Sequence, residues 1–236
     1  MNTIKATLTP NAVGLVLCGS EHDLMDLYDA IYQALPEDDY MEDENIMYLL
    51  GLTYDIRKAY SGYREEHIDI QPVAPKTSDT CTIETTYSVT IVLPILIVQL
   101  HILSEYLDPF QGDEQAYKVI MNFKNVVLNA IKIKSKDTYE KVNNWLETTD
   151  LFSEDYIFDI ATHFSAIEYI QYKPVAKRLQ SLPTLLRTFE ESNQKYQQVA
   201  QLSYLKAKEL NCRVHDLRFD LDDEIFEQLD NGQINW

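Results

Sequence analysis

The residues best equipped to do chemistry lie in one short stretch, Tyr54-Asp55-Ile56-Arg57 followed by Tyr60. At helical spacing Ile46, Leu49, Leu50, Thr53, Ile56, Arg57 and Tyr60 run along one side of a helix over about residues 43–61, so the guanidinium approaches the face that packs. A charge carried towards a core needs a carboxylate or several carbonyls, because an unpaired buried charge costs several kcal/mol. Asp55 is two residues away and does not share that face, so Arg57 must reach another element. Two readings stand side by side. One is a buried Arg–carboxylate staple; the other is an anion-recognising arginine between two tyrosines, in a pocket for a small molecule or nucleotide lined by Tyr54, Arg57, Tyr60 and His101. His101 sits in the most apolar helix of the chain, where a hydrogen-bonded core histidine is the plainer reading than a catalytic base.

The second chemically distinct stretch precedes that helix. Glu37, Asp38, Asp39, Glu42, Asp43 and Glu44 put six acids into eight positions, which no packed interior accepts without bound cations. It reads as an exposed loop whose acids suit the N-terminus of the helix they lead into. The competing reading is a partner-binding patch anchored by Asp38, Asp39, Tyr40, Glu42 and Asp43.

Standard catalytic motifs are missing from the sequence. With 6 glycines there is no GxGxxG, GxxxxGK or GxSxG, which removes the usual phosphate loops and the serine-hydrolase elbow. Histidines 22, 67, 101, 163 and 215 form no HExxH or HxxxH pair, and His163 and Glu168, five apart, do not share a helical face well. Cys18, Cys81 and Cys212 are far apart and have no zinc-ligand spacing, so buried thiols in a reducing compartment are expected. The acids from Asp220 to Glu224 lack the glycine and ligand spacing of a calcium loop. No cofactor and no metal follow from these residues.

Charge narrows the partners. The 236 residues carry 38 acids and 20 bases, a formal charge of −18. Residues 1–117 hold 20 acids and 5 bases (−15), leaving 18 acids and 15 bases (−3) for 118–236. Direct binding to nucleic acid or an anionic membrane is disfavoured, whereas a basic or nucleic-acid-binding protein would be attracted to the first half. Lys118, Lys124, Lys132, Lys134, Lys136 and Lys141 make a locally positive segment, read as neutralising the acidic half within the fold or across a dimer rather than as a nucleic-acid stripe.

These groups are positioned by elements that the hydrophobic pattern outlines. Residues 3–8 and 13–18 read as a β-hairpin turning at Thr9-Pro10-Asn11. Ser20 and Asp23 open a helix as a capping box, with Leu24, Leu27, Tyr28, Ile31 and Leu35 inward until Pro36. Residues 66–74 read as a third strand. From Cys81 to Leu93 apolar and polar positions alternate, the mark of a half-buried strand. After Pro94, apolar residues cover nearly the whole circumference of a helix that must be buried. A membrane span needs about 20 apolar residues, and Gln99, His101, Ser104 and Glu105 interrupt this run. Helices follow near 113–134, 137–148, 153–172 and 175–181, then a long one over 183–210 with a thin apolar stripe that could also form half of a homodimer. RVHDLRFDLD (213–222) reads as a short returning strand, and Trp236 as docked. The expected fold is α+β: a small antiparallel or mixed sheet of about four strands packed by helices, then a mainly helical half. It is treated as a single domain over 1–236, with a possible subdivision at 1–110 and 111–236.

The segments Leu8-Thr-Pro-Asn-Ala-Val-Gly14, Asp23-Leu-Met-Asp-Leu-Tyr-Asp-Ala-Ile31, Gly51-Leu-Thr-Tyr-Asp-Ile-Arg-Lys-Ala-Tyr60 and Lys208-Glu-Leu-Asn-Cys-Arg-Val-His-Asp-Leu-Arg218 together resemble a bacterial family known only as a domain of unknown function. The resemblance spans most of the chain. It implies a bacterial or phage cytoplasmic protein and supplies no activity or ligand. A cytoplasmic setting also fits the N-terminal stretch, which lacks an apolar targeting segment. The resulting expectation is a non-enzymatic acidic interaction protein, an immunity protein or an inhibitor of a nucleic-acid-processing enzyme; the alternative is a small-molecule or nucleotide-binding protein, possibly an enzyme, with its pocket near Arg57.

Overall fold

The computed structural model describes residues 4–36, 44–72, 81–107, 113–149, 157–190, 193–214, 216–217 and 236. Strands β1 (Lys5–Leu8) and β2 (Gly14–Gly19) form the expected hairpin. Thr9 closes its turn: the backbone N–H donates to the Gly14 carbonyl at 2.9 Å, and the Thr9 hydroxyl accepts the Gly14 N–H at 3.1 Å. Helix α1 (Glu21–Ala34) starts on the Ser20/Asp23 capping box, with the Asp23 N–H donating to Ser20 Oγ at 3.1 Å. Strands β3 (Glu65–Pro72) and β4 (Cys81–Val92) complete a fully antiparallel sheet in the order β1-β2-β4-β3.

The register decides which side of the sheet is buried. Leu15 faces Ile91 and Leu17 faces Val89 across β2 and β4, and period-two alternation puts all four on one face, where all are buried. Helices α1 and α3 (Leu93–Leu107) pack there. Helix α3 buries ten of its first eleven residues, as its all-round apolar pattern demands. Helix α2 (Glu44–Lys58) lies against α1 and α3.

The C-terminal half contributes α4 (Glu114–Lys134), α5 (Lys136–Thr148), α6 (Ile157–Gln171), α7 (Val175–Leu186) and α8 (Gln194–Leu210). Helix α4 packs on α1, α6 on α3 and α5 on α7, and one hydrophobic cluster runs from Ile4 to Tyr196 through both halves. Lysines of the positive segment are met locally: Lys118 by Glu114 at 2.6 Å, Lys141 by Asp137 at 2.7 Å, and Lys132 by the Tyr139 ring at 5.0 Å.

Two expectations for this half are corrected. The single helix over 183–210 is two helices. Pro183 lies inside α7, and a 3₁₀ turn at Arg187–Phe189 precedes a new start of α8 capped by Asn193. A proline inside a helix cannot donate to the carbonyl four residues back. Here that carbonyl, Leu179, receives the Thr138 hydroxyl of α5 at 3.2 Å, so α7 continues past the proline. Phe189 and Tyr196, part of the stripe proposed for a homodimer, are buried within the chain, with α8 packed on α6. The second correction concerns the end of RVHDL: Val214, Asp216 and Leu217 are helical, not extended.

The hairpin turn ties the two halves together. The Tyr169 hydroxyl donates to the Ala12 carbonyl at 2.7 Å; Arg178 donates to the carbonyls of Tyr169 at 3.2 Å, Ile170 at 2.9 Å and Asn11. On the same turn, the Asn11 side-chain amide donates to the Trp236 carbonyl at 3.1 Å. The Trp236 ring sits so close to Gly14 that an added Cβ would lie 2.8 Å from it. Trp236 is therefore docked, as its chemistry suggested.

Candidate functional site

Helix α2 buries Ile46, Leu49, Leu52, Thr53 and Ile56 along one face, and Ala59 continues it just past the helix end. Arg57 is one residue past Ile56, about 100° further round the helix, and this takes it off the packed face: it is exposed. The buried staple is therefore not at Arg57. Its guanidinium lies over the Tyr54 ring at 5.6 Å, and Tyr54 is itself exposed. Lys58 joins them, 5.4 Å from the Tyr54 ring and 4.4 Å from the Tyr63 ring. A π-helical turn over Ala59–Tyr63 ends the helix, with Gly62 at φ 75°, a conformation that suits glycine. Asp55 reaches across this turn to Arg64 at 2.7 Å. The carboxylate that cannot face Arg57 thus pairs with a different arginine.

Tyr60 turns towards α1. It meets the Tyr28 ring edge-on at 6.0 Å, and Tyr28 lies 4.7 Å from Tyr32 one turn on. Burial, then the hydrogen bond to Tyr32 and the neighbouring phenols, push the Tyr28 hydroxyl up to about 12, against the opposing pull of Arg57. Burial and then the charge of Asp29 raise Tyr60 as well, again against Arg57. The surface around these tyrosines has the chemistry of contact: aromatic faces, stacked cations and neutral hydroxyls.

The structure thus joins Tyr54 to Arg57, links Tyr60 through Tyr28, and leaves His101 elsewhere. His101 is fully buried on α3, its ring 4.9 Å from Trp145 of α5 and its Nε2 3.7 Å from Glu105. Its full burial makes it a core residue, set apart from Arg57. Asp38, Asp39, Tyr40, Glu42 and Asp43 lie outside the described residues. Lys58, Tyr63 and Arg64 were not singled out in the sequence. The signal was present in their crowding, since Arg57, Lys58 and Arg64 are three of the five bases in residues 1–117.

Two other groupings emerge only in three dimensions. Across β3 and β4, His67 Nε2 lies 3.0 Å from Ser88 Oγ and 3.9 Å from Glu65, an arrangement that superficially matches a nucleophile, base and acid. The serine and the carboxylate approach the same imidazole nitrogen, however, so the acid cannot orient the ring through its other nitrogen as a triad requires. It is a polar network on the strands. The other is a cleft of about 510 Å³ between α5 and α7, lined by Lys141, Asn144, Trp145, Gln180, Thr184 and Arg187 among others. Among the described residues, no acceptor meets the buried Trp145 indole N–H.

Taken together, these features define an α+β protein: a four-stranded antiparallel sheet covered by helices, a helical second half, and an aromatic and cationic surface at the end of α2. No described helix is long and apolar enough to cross a membrane. The chain belongs to the family described as Domain of unknown function (DUF6904), whose model matches residues 4–236. No curated protein and no solved structure matches it.

Proposed function

We propose that this protein acts by binding another protein, as an acidic interaction protein of the immunity or inhibitor kind, with a basic, nucleic-acid-processing enzyme as its partner. The observation that carries this reading is the segregation of charge: −15 on residues 1–117, with six acids in the eight residues that lead into α2. Such a surface competes for sites that hold phosphates and accelerates encounter with a basic partner. Asp38, Asp39, Tyr40, Glu42 and Asp43 are the anchors. What supports contact at the adjoining surface is that Arg57 and Lys58 stack on tyrosine rings. Free thiols at Cys18 and Cys212 fit a reducing bacterial cytoplasm.

The test is a pull-down from the native host at low and high salt, followed by association kinetics with the captured protein. Reversing the charges of Asp38, Asp39, Glu42 and Asp43 should slow association about tenfold or more at low salt and much less at high salt. Unchanged kinetics would remove the reading.

A second reading, binding of a small molecule, is favoured by the cleft between α5 and α7 rather than by Arg57. Trp145 is one of 2 tryptophans in the chain, so in a Trp236→Phe variant its fluorescence reports on that cleft alone. Ligands recovered from the native host that leave this emission unchanged would count against it.

A further inference from the structure

Helices α5 and α7 run in the same direction. Near their starts the Thr138 hydroxyl meets the Leu179 carbonyl at 3.2 Å, and near their ends the Trp145 ring lies 6.4 Å from that of Phe189, just past α7. The cleft of about 510 Å³, within the size range of small-ligand sites, lies along the C-terminal parts of both. There the two helices turn their carbonyl ends, each the negative end of a helix dipole, to the same side. Neither has a basic residue in its last turn to offset it. An anion is therefore disfavoured. A cation is no better placed, because Lys141 and Arg187 stand in the wall.

The charges of that wall are also met already. Lys141 is 2.7 Å from Asp137, Glu140 3.6 Å from Lys136 and Arg187 3.9 Å from Glu190, each within about one turn along the chain. What the cleft still offers is neutral. Among the described residues the exposed side chains of Asn144, Gln180 and Thr184 have no hydrogen-bond partner, and each can both donate and accept. Trp145, in the same wall and only 4% exposed, adds an indole N–H without an acceptor among those residues. A buried donor left unmet is costly, so an acceptor that reaches it is favoured. One ligand group suits all of these partners. A hydroxyl accepts from an indole or amide N–H, donates to a carbonyl oxygen and carries no charge.

We propose that the cleft between α5 and α7 is a binding site for a neutral polyhydroxylated ligand, a sugar or related polyol, held by Asn144, Gln180, Thr184 and the Trp145 N–H. The assignment rests on the small-molecule reading of this cleft and fixes the class of ligand.

A small-molecule extract of the native host, passed over an anion exchanger and a cation exchanger, tests it by separating charged from neutral compounds. Each fraction is titrated into the Trp236→Phe chain, in which Trp145 is the one indole left of 2. The unretained, neutral fraction alone should shift the Trp145 emission, and should do so saturably. Periodate oxidation of that fraction, which cleaves the carbon–carbon bond between adjacent hydroxyls, should abolish the shift. Asn144→Ala and Gln180→Ala change exposed side chains, so the fold should survive them, and each should weaken binding about tenfold. A shift that comes from a retained fraction, survives periodate or is indifferent to both substitutions would overturn the polyol assignment while leaving the cleft as a small-molecule site. No shift from any fraction would overturn the cleft as a site altogether.

Discussion

Two places in this molecule combine arginine with tyrosine, and they do opposite things. At the end of α2, Arg57 lies exposed over the exposed Tyr54 ring. At the β1–β2 turn, Arg178 is buried beside the fully buried Tyr169, and among the described residues the hydrogen bonds their side chains donate go to backbone carbonyls. The difference is one of acceptors. Arg178 enters where helix α6 ends and the hairpin turns, the two kinds of site that leave carbonyls unused by regular structure. Those carbonyls make a buried guanidinium tolerable without a carboxylate. Arg57, exposed on α2, lies instead over an aromatic face in solvent, where such a contact contributes about 0.5–1 kcal/mol. The same residue pair is a bolt in one place and a contact surface in the other.

Matched truncations break this comparison most strongly. Arg178→Ala takes a donor from three carbonyls, of which only that of Tyr169 keeps another, the Tyr172 N–H, and it loosens the tie between the hairpin and the helical half; denaturant titration should show a loss of about 3 kcal/mol or more. Arg57→Ala, measured alongside, should change stability by less than about 0.5 kcal/mol. Equal losses would mean that Arg57 supports the fold after all.

The contrast also marks how far the sequence was legible. The hairpin, the Ser20/Asp23 cap, the buried α3 and the antiparallel strands follow from patterns local to each segment, and they stand where alternation and capping put them. Arg57 failed by one residue of helical phase, too fine a distinction for periodicity beside a half-buried Leu50 and Tyr60. Arg178 was invisible for another reason. Its partners are carbonyls, which carry no sequence signature, and one of them is 167 residues away. Pro183 misled in the same way: a proline reads locally as a helix start, and only the Thr138 hydroxyl from another helix lets α7 run through it. At the candidate surface the residues were legible but not their grouping, because Tyr28 and Tyr32 come from α1.

Thr138 offers a smaller and more local version of the same comparison, since it too satisfies a carbonyl from a distant element. Thr138→Val keeps the shape and removes the hydroxyl, leaving the Leu179 carbonyl without that donor; a loss of about 1–2 kcal/mol is expected in denaturant titration. Restoring the hydroxyl with Thr138→Ser should recover most of it. A Thr138→Val protein as stable as the parent would mean that water satisfies the carbonyl equally well.

The smallest effect sharpens the contact side. Tyr28 loses its proton in the folded state near pH 12, whereas an unfolded tyrosine does so near 10. The folded state therefore binds this proton more tightly, and the stability it contributes is complete below pH 10 and is lost as pH rises through about 12. Arg57 pulls in the other direction, so Arg57→Ala should move the Tyr28 transition further upward. Tyr28→Phe should remove one late-titrating phenol from the ultraviolet phenolate curve and flatten the fall of stability above pH 10. Helix α1 carries both Tyr28 and Tyr32, and its packing on the turn that ends α2 holds Tyr60 against Tyr28. If the Tyr28→Phe curve instead loses a phenol that titrates near 10, this seam is open to water, and the surface beside Arg57 is looser than the buried turn at Arg178.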